Sequence, residues 1–499
     1  MWLMSTGSHA GGPAHTSSAT TSAGSGTGTG GGTDSGGESG ELKRTLGLGS
    51  VTLFGLAYMA PMIVLGTFGV IATETGGATS MAYLLATVAM LFTANSYGVL
   101  SKRFPVAGSA YTYSRNAIDG RVGFLVGWAV LLDYLFLPMV IWLIGTSFLS
   151  EAFPAVPKWV WVCSFILVTT TLNILGVKVA DKVNLVLMTF QILVLAIFAA
   201  LCAGFVVRSQ GAGSLVQMHP FINEHTTPLV IGAGAAVACY SFLGFDAITT
   251  LTEEAKRPKH TIPRAIMLVA LIGGVIFVIV TYVTTLVHPG TEFANEDTAA
   301  SEIALQVRGA FFAAVFLAGF IVTQFASGIA AQASAARLVF AMGRDGVLPN
   351  RVFGRVAKRF ATPWVAILVS AAVGLGGLFL SVETSTSFIN FGAFLAFAMV
   401  NVSVVVLFCK DRKAGARTGA DADAGAGGGE DDAEVRFTTP VRHVLLPVIG
   451  TLVTIFLFTQ LDAHALLIGS GWLVLGLIIL ACLSKGFRQQ PPEQSGGGH

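Results

Sequence analysis

The chain has 499 residues, of which 53% are hydrophobic and only 11% are charged. About a quarter of the residues in soluble domains carry a charge, so this composition excludes a soluble globular protein and indicates many membrane spans. The net charge of +2 gives no indication of a nucleic-acid partner, and we predict none.

Residues 1–41 are rich in Gly, Ser and Thr, with neither a basic start nor an apolar stretch long enough for a signal peptide. We predict a disordered cytoplasmic tail. Twelve apolar runs of about 20 residues follow, which is the length that an α-helix needs to cross a bilayer. They start near residues 47, 78, 121, 157, 183, 229, 264, 306, 362, 385, 440 and 464. The prediction is an all-α polytopic membrane protein with twelve spans.

Two segments near the end of the chain are not apolar. Residues 411–436 are rich in Gly, Ala and Asp, which predicts a flexible cytoplasmic loop. Helices 11 and 12 are expected within 437–485, and residues 486–499 form a cytoplasmic tail. The five cysteines lack the spacing of a metal site or a disulfide framework, and we predict no metal and no cofactor.

Basic residues predict the topology, because Lys and Arg are retained on the cytoplasmic side of a membrane. Of the 29 Lys and Arg residues, the loops that alternate to the outside contain only Lys158, Arg208 and Arg308. We therefore predict a multi-pass plasma-membrane protein with both termini in the cytoplasm.

Two spans carry interruptions. The first contains Pro61, which removes a backbone donor and clashes with the preceding turn, so we expect a break between Ala57 and Pro61. The sixth contains Gly244, a residue that weakens a helix interior. Interruptions at matching positions in two halves of a chain are typical of transporters that hold substrate at the midplane. Each is also compatible with a simple kink.

Asp246 follows Gly244 inside the apolar sixth span. An acid at the bilayer centre costs about 2.5–3.5 kcal/mol on insertion scales, so it is tolerated mainly where it faces a cavity, a partner or a cationic ligand. We predict that Asp246 anchors a ligand; the alternative is a purely structural hydrogen bond. A second acid, Asp133, lies in the middle of the third span, with the same two interpretations open.

Several strings identify a family. Residues 104–118 (FPVAGSAYTYSRNAI), 251–266 (LTEEAKRPKHTIPRAI) and 337–349 (RLVFAMGRDGVLP) resemble signatures of the amino acid, polyamine and organocation transporter superfamily. Residues 123–143 and 241–254 are similar to those of its bacterial putrescine importers. The resemblance implies a five-plus-five inverted repeat of the LeuT-like type in residues 42–410, with broken helices 1 and 6. It also implies proton-driven uptake of a small organic amine.

A diamine needs anionic groups for its ammoniums and apolar or aromatic groups for its methylenes. Asp246 is the expected anchor, and Asp133 is expected to carry the coupling proton or bind the second ammonium. Aromatic rings attract cations by about 0.5–2 kcal/mol each. The other predicted substrate-binding residues are Ala57, Tyr58, Met59, Trp128, Phe242, Gly244 and Phe245, although packing explains each aromatic ring equally well.

Two departures from the family pattern refine this prediction. Amino acid transporters of the superfamily usually have a glycine-rich break in the first span that holds the substrate carboxylate, whereas here the break reads AYMAP. Bulkier residues obstruct close backbone approach, which favours an amine without a carboxylate. In the fifth span Gln191 stands where proton-coupled members can carry a lysine. Because glutamine does not titrate, Asp133 and Asp246 are the candidate proton carriers.

The alternatives share this architecture or belong to another class. An amino acid or ethanolamine-type permease changes the ligand but not the mechanism. A membrane amine sensor would signal through residues 1–40 or 411–436, which contain no recognisable domain. We see no nucleotide loop or nucleophile elbow, so we predict that the protein is not an enzyme.

Overall fold

A computed structural model describes residues 44, 46–105, 109–175, 181–344, 348–353, 362–417, 439–486 and 488–489. The predicted tail at 1–41, most of the predicted loop at 411–436 and nearly all of the predicted tail at 486–499 lie outside the described residues.

The described part of the chain is helical, and its only β-type pairing is an isolated bridge between Leu46 and Ala255. The first eight α-helices are α1 (Leu48–Met59), α2 (Ile63–Gly66), α3 (Phe68–Glu74), α4 (Thr79–Arg103), α5 (Ser109–Ala117), α6 (Gly120–Ala152), α7 (Lys158–Leu175) and α8 (Asp181–Gln210). The rest are α9 (Pro228–Ala238), α10 (Pro258–Val287), α11 (Ala299–Arg344), α12 (Asn350–Phe353), α13 (Trp364–Gly374), α14 (Val382–Arg417), α15 (Leu446–Thr459) and α16 (Ala463–Leu483).

Eleven helical stretches in the described ranges are long and apolar enough to cross a membrane, and a shorter apolar one covers Trp364–Leu378 at the predicted ninth span. The largest offset from prediction is in the eighth span, expected near 306 but starting at Glu296. Its acidic first turns hide the helix start from a search for apolar runs. The protein is a polytopic helical membrane protein, as predicted.

The start of the predicted 411–436 loop is helical instead. Helix α14 continues through Arg417, and two contacts hold this extension. The Lys410 Nζ donates to the Ala117 carbonyl at 2.7 Å, and Asp411 lies 3.9 Å from Arg103. Basic residues also favour the end of a helix, where its unpaired carbonyls carry partial negative charge.

Helix α6 is the centre of the bundle. In its most apolar window 83% of the residues are buried, whereas the corresponding windows of α7 and α16 are only 17% buried. A helix that faces lipid buries few of its residues against protein, so a low buried share marks a helix at the periphery of the bundle. The third span, with Asp133 at its middle, is therefore surrounded by protein.

The two ends of the bundle differ in charge. The basic end carries cations at helix termini: Lys102, Arg103, Arg264 and Arg442. The acidic end carries carboxylates at helix termini: Glu74, Glu296, Asp297, Glu383 and Asp462.

Candidate substrate site

The first span is interrupted at the predicted place. Helix α1 ends at Met59, and the next residue, Ala60, adopts a left-handed conformation with φ 47° and ψ 75°. Pro61 has no N–H to continue the helical hydrogen bonding, and α2 begins only at Ile63. The interruption therefore follows from the proline that marked it in the sequence.

The sixth span is interrupted as well. Helix α9 ends at Ala238, a short 3₁₀ turn covers Cys239–Phe242, and a second 3₁₀ helix covers Asp246–Glu254. Between them Gly244 has φ +107°, a conformation that side chains with a Cβ rarely adopt. A Cβ at this position would also overlap the ring of Tyr58. Glycine is needed here both for backbone conformation and for close approach to the first span.

The two interruptions are joined at their acidic-end sides. The Tyr83 hydroxyl, on α4, lies 3.0 Å from Thr67 Oγ1 and 3.0 Å from Ser241 Oγ. Thr67 follows the first-span break, and Ser241 precedes the glycine of the sixth. At the basic end, the Leu46 N–H donates to the Glu254 carbonyl and the Leu46 carbonyl accepts from the Lys256 N–H, both at 3.0 Å.

Asp246 is only 4% exposed at the start of the second 3₁₀ helix. Its Oδ2 accepts a hydrogen bond of 3.3 Å from the Ser109 hydroxyl of α5. Tyr97 and Tyr113 lie close enough for the Asp246 charge to act on both, and their buried hydroxyls have no hydrogen-bond partner. The carboxylate therefore sits among polar groups with unused hydrogen-bonding capacity.

An aromatic cluster surrounds this acid. The Tyr97 ring meets Tyr113 and Phe245 edge-on, with centroids 6.0 Å and 5.8 Å away. Phe397 of α14 lies 5.4 Å from Phe245. Sequence analysis missed Tyr97, Tyr113 and Ser109, since neutral residues of these types occur in many membrane helices and only the fold brings them to Asp246.

Asp133 belongs to the same cluster. It is 6% exposed, and its Oδ1 is buried without a hydrogen-bond partner. Asp246 is near enough to interact electrostatically with Asp133. Both carboxylates also interact electrostatically with Tyr58 and Tyr134. Neither acid forms an ion pair with any cation that the structure describes.

The remaining predicted site residues fall in two groups. Ala57 and Tyr58 are partly exposed inside the bundle, and Tyr58 packs on Gly244 beside the acids. Met59 and Phe242 are buried against α10 instead: the Met59 Cε lies against Gly273, and the Phe242 ring meets Phe277 edge-on at 5.1 Å.

Trp128 has a different neighbourhood from the one predicted. Its ring stacks on Trp472 of α16 at 4.8 Å, and each indole N–H donates to the other residue's carbonyl at 2.9 Å. Trp128 and Asp133 are five positions apart on one helix, which turns them about 140° away from each other. Trp128 therefore holds α16 and has no free N–H to offer a substrate.

Gln191 is 5% exposed on α8. Its Nε2 lies 3.0 Å from the Met188 sulfur, and its Oε1 is buried without a hydrogen-bond partner. This side chain makes no polar contact with either acid among the described residues.

Comparison with known proteins agrees with this architecture. The model of a family described as amino acid permease matches residues 48–482. The chain belongs to this family. It is 38% identical to the low-affinity putrescine importer PlaP of Escherichia coli K12, over 91% of this chain and 96% of that protein. It is 26% identical to the branched-chain amino acid permease BcaP of Bacillus subtilis, over 89% and 94%.

Another relative is the cationic amino acid transporter 4 of Mus musculus, which is 28% identical over 74% of this chain and 60% of that protein. Membership of a permease family makes the protein a multi-pass membrane transporter of a small molecule and not an enzyme, as predicted. The names of these relatives specify different substrates: putrescine, branched-chain amino acids and cationic amino acids.

Proposed function

We propose that this permease imports a small organic diamine, with putrescine as its best substrate. The observation that carries the proposal is that two buried carboxylates, Asp133 and Asp246, lie near enough to interact and that neither forms an ion pair with a described cation. Two buried negative charges are costly unless a cation or protons balance them. The E. coli relative named as a putrescine importer supports the same substrate.

The substrate is held at both ends. One ammonium binds Asp246, which Ser109 orients, and the other binds near Asp133. The methylenes lie against Tyr58 and the neighbouring rings of Tyr97 and Phe245, whose faces also attract the ammonium groups. Ala57 and Gly244 are small enough for the substrate to contact the backbone at the two breaks. Pro61 produces the first break, and Met59 and Phe242 pack the breaks against α10.

The first-span break argues against a zwitterionic amino acid. A carboxylate needs close access to several backbone N–H groups at a helix terminus. Tyr58 fills the space between this break and Gly244, and the acids beside it repel a second carboxylate. The second candidate is an amino acid or ethanolamine-type permease, which the relationship to BcaP favours. An amine sensor has no such support.

The proposed architecture has twelve spans. Residues 42–410 form the ten-helix inverted repeat, and 437–485 add two helices. The basic end faces the cytoplasm, with both termini, and the acidic end faces outwards from the plasma membrane. Carboxylates around the outer end raise the local concentration of a dication by attracting it.

Membrane potential and protons drive uptake. A dication gains about 2.3 kcal/mol per charge per 100 mV. For two charges this is about 4.6 kcal/mol, or about a two-thousandfold accumulation. Protonation of Asp133 supplies the coupling to the pH gradient, because Gln191 does not titrate.

The test is uptake of labelled putrescine into proteoliposomes with an inside-negative potential, with and without a pH gradient. Spermidine, arginine, ethanolamine and neutral amino acids serve as competitors. We expect saturable putrescine entry that zwitterions do not inhibit and that the pH gradient stimulates. Entry of a neutral amino acid without putrescine entry would favour the second candidate. Putrescine entry that the pH gradient does not stimulate would rule out proton coupling.

A further inference from the structure

A cavity of about 480 Å³ lies at the basic end, away from the two acids. It is formed by α1, α4, α10 and the start of the eleventh span. Its polar lining consists of Asn95, Lys102, His260, Arg264 and Arg442. Its apolar and small lining consists of Leu48, Ala94, Gly98, Pro263, Met267 and Leu268. The cavity is therefore amphipathic.

Three cations of this lining lie close together, with Lys102 partly buried and Arg264 and Arg442 exposed at the surface. Lys102 lies close enough to Arg264 and Arg442 for both to act on it electrostatically. No ion pair involving these three cations occurs among the described residues, and Asp411 at the same end contacts Arg103 instead. In addition, the Asn95 Nδ2 is buried and has no hydrogen-bond partner. Like charges held together in this way call for an anion.

The cavity opens sideways to the membrane. Leu268 and Leu48, both in its lining, are each 36% exposed on the outer surface of the bundle. Exposed apolar residues continue from it along two helices: Leu268, Ile272, Val275 and Ile279 on α10, and Val441, Leu445, Val448, Leu452 and Ile455 in the eleventh span. This spacing puts each set on one helix face, which is the face that meets lipid.

We propose that the cavity binds an anionic phospholipid of the cytoplasmic leaflet. The phosphate lies between Lys102, Arg264 and Arg442, with Asn95 as a further donor, and an acyl chain runs along Met267 and Leu268. A cluster of cations between helices at the cytoplasmic surface is suited to such headgroups. The lipid bridges three spans, of which the eleventh lies outside the proposed ten-helix repeat. The inference uses the proposed orientation of the basic end but not the identity of the substrate.

The favoured source of the phosphate is a lipid and not a soluble metabolite. A free phosphate would leave the apolar half of the cavity in contact with water, whereas an acyl chain would cover it. A soluble phosphate ester also has no reason to enter from the side that meets lipid.

The test measures binding of phosphatidylglycerol and of phosphatidylcholine with the same acyl chains to the purified full-length protein, by native mass spectrometry and thermal unfolding. We expect phosphatidylglycerol to bind more tightly and to raise the unfolding temperature. The variant Lys102→Gln/Arg264→Gln/Arg442→Gln should lose about fivefold in phosphatidylglycerol affinity for each cation removed. Its phosphatidylcholine binding should not change.

Two further variants make the result specific. Arg412→Gln/Lys413→Gln/Arg488→Gln removes three exposed cations from the same end and should keep the lipid preference. Lys102→Arg/Arg264→Lys/Arg442→Lys keeps the charge and should also keep it, even if the glutamine variant unfolds. Equal loss in the surface variant, or an unchanged preference in the cavity variant, would overturn the proposal. Stabilisation by glycerol 3-phosphate equal to that by phosphatidylglycerol would replace the lipid with a soluble phosphate.

Discussion

The two buried acids lie in one cluster but on different kinds of backbone. Asp246 begins a 3₁₀ helix directly after a break, and Ser109 donates to it. Asp133 lies inside α6, a continuous helix of 33 residues, and one of its oxygens has no hydrogen-bond partner. A break frees backbone and side-chain donors for a buried charge, whereas an unbroken helix uses its own N–H groups internally. We infer that Asp246 is a prepared anchor and that Asp133 carries the coupling proton, with its carbonyl oxygen left to accept from the second ammonium.

Removing the anchor should have the largest effect. We expect Asp246→Asn to reduce kcat/KM for putrescine by at least about thirtyfold, because losing one partner of a buried charge pair costs about 2–5 kcal/mol. Uptake into proteoliposomes with equal amounts of protein is the measurement. Glu224→Gln removes an exposed acid and should not change uptake. Normal transport by the Asp246→Asn variant would show that Asp246 does not bind the substrate.

The next largest effect should come from the second acid, and it should differ in kind. We expect Asp133→Asn to abolish stimulation by the pH gradient and to lower uptake by about tenfold, since the amide oxygen of Asn still accepts from the second ammonium but cannot bind a proton. Uptake with potential alone and with both gradients separates the two terms. Retained pH stimulation would show that the acids do not divide their roles.

A smaller effect should come from Ser109→Ala, which removes the side-chain donor to Asp246. A hydrogen bond to a charged group is worth about 1.5–3 kcal/mol, so we expect KM for putrescine to rise about tenfold with little change in kcat. Ser114→Ala, on the same helix but facing Ser403, is the matched control. An equal rise in both variants would mean that α5 packing, and not the donor, matters.

The smallest effect should come from Gln191→Leu. Its buried Oε1 has no partner, and an apolar group of similar size removes a desolvated polar atom at little cost. We expect unchanged pH stimulation and an unfolding temperature that is equal or slightly higher. Loss of pH stimulation in this variant would move the coupling away from Asp133.

Much of this arrangement was predictable from sequence because the bilayer imposes strong rules. Apolar length gives the spans, Pro61 marks the first break, and the insertion cost of a charge draws attention to Asp246 and Asp133. The ninth span is shorter than predicted, since α13 ends at Gly374 before the glycines at 376 and 377.

The neighbours of the acids were less accessible to sequence reasoning. Tyr97 and Ser109 come from other elements and have no charge to mark them. Trp128 was predicted as an aromatic ring of the site, but the rotation of α6 between it and Asp133 turns it to Trp472 of α16, which is the packing alternative. Helix phase and long-range packing decide such contacts, and a hydropathy pattern contains neither.

The shared hydrogen bonds of Tyr83 fasten Thr67 to Ser241, so the outer segments of the two interrupted spans are coupled to each other as well as to α4. The paired backbone of Leu46 does the same for their other ends. If each pair moves as a unit about Ala60 and Gly244, access from one side of the membrane excludes access from the other. Ligands on opposite sides then compete through negative linkage, and each weakens the other by the same factor. We expect internal putrescine to raise the apparent Kd for external putrescine.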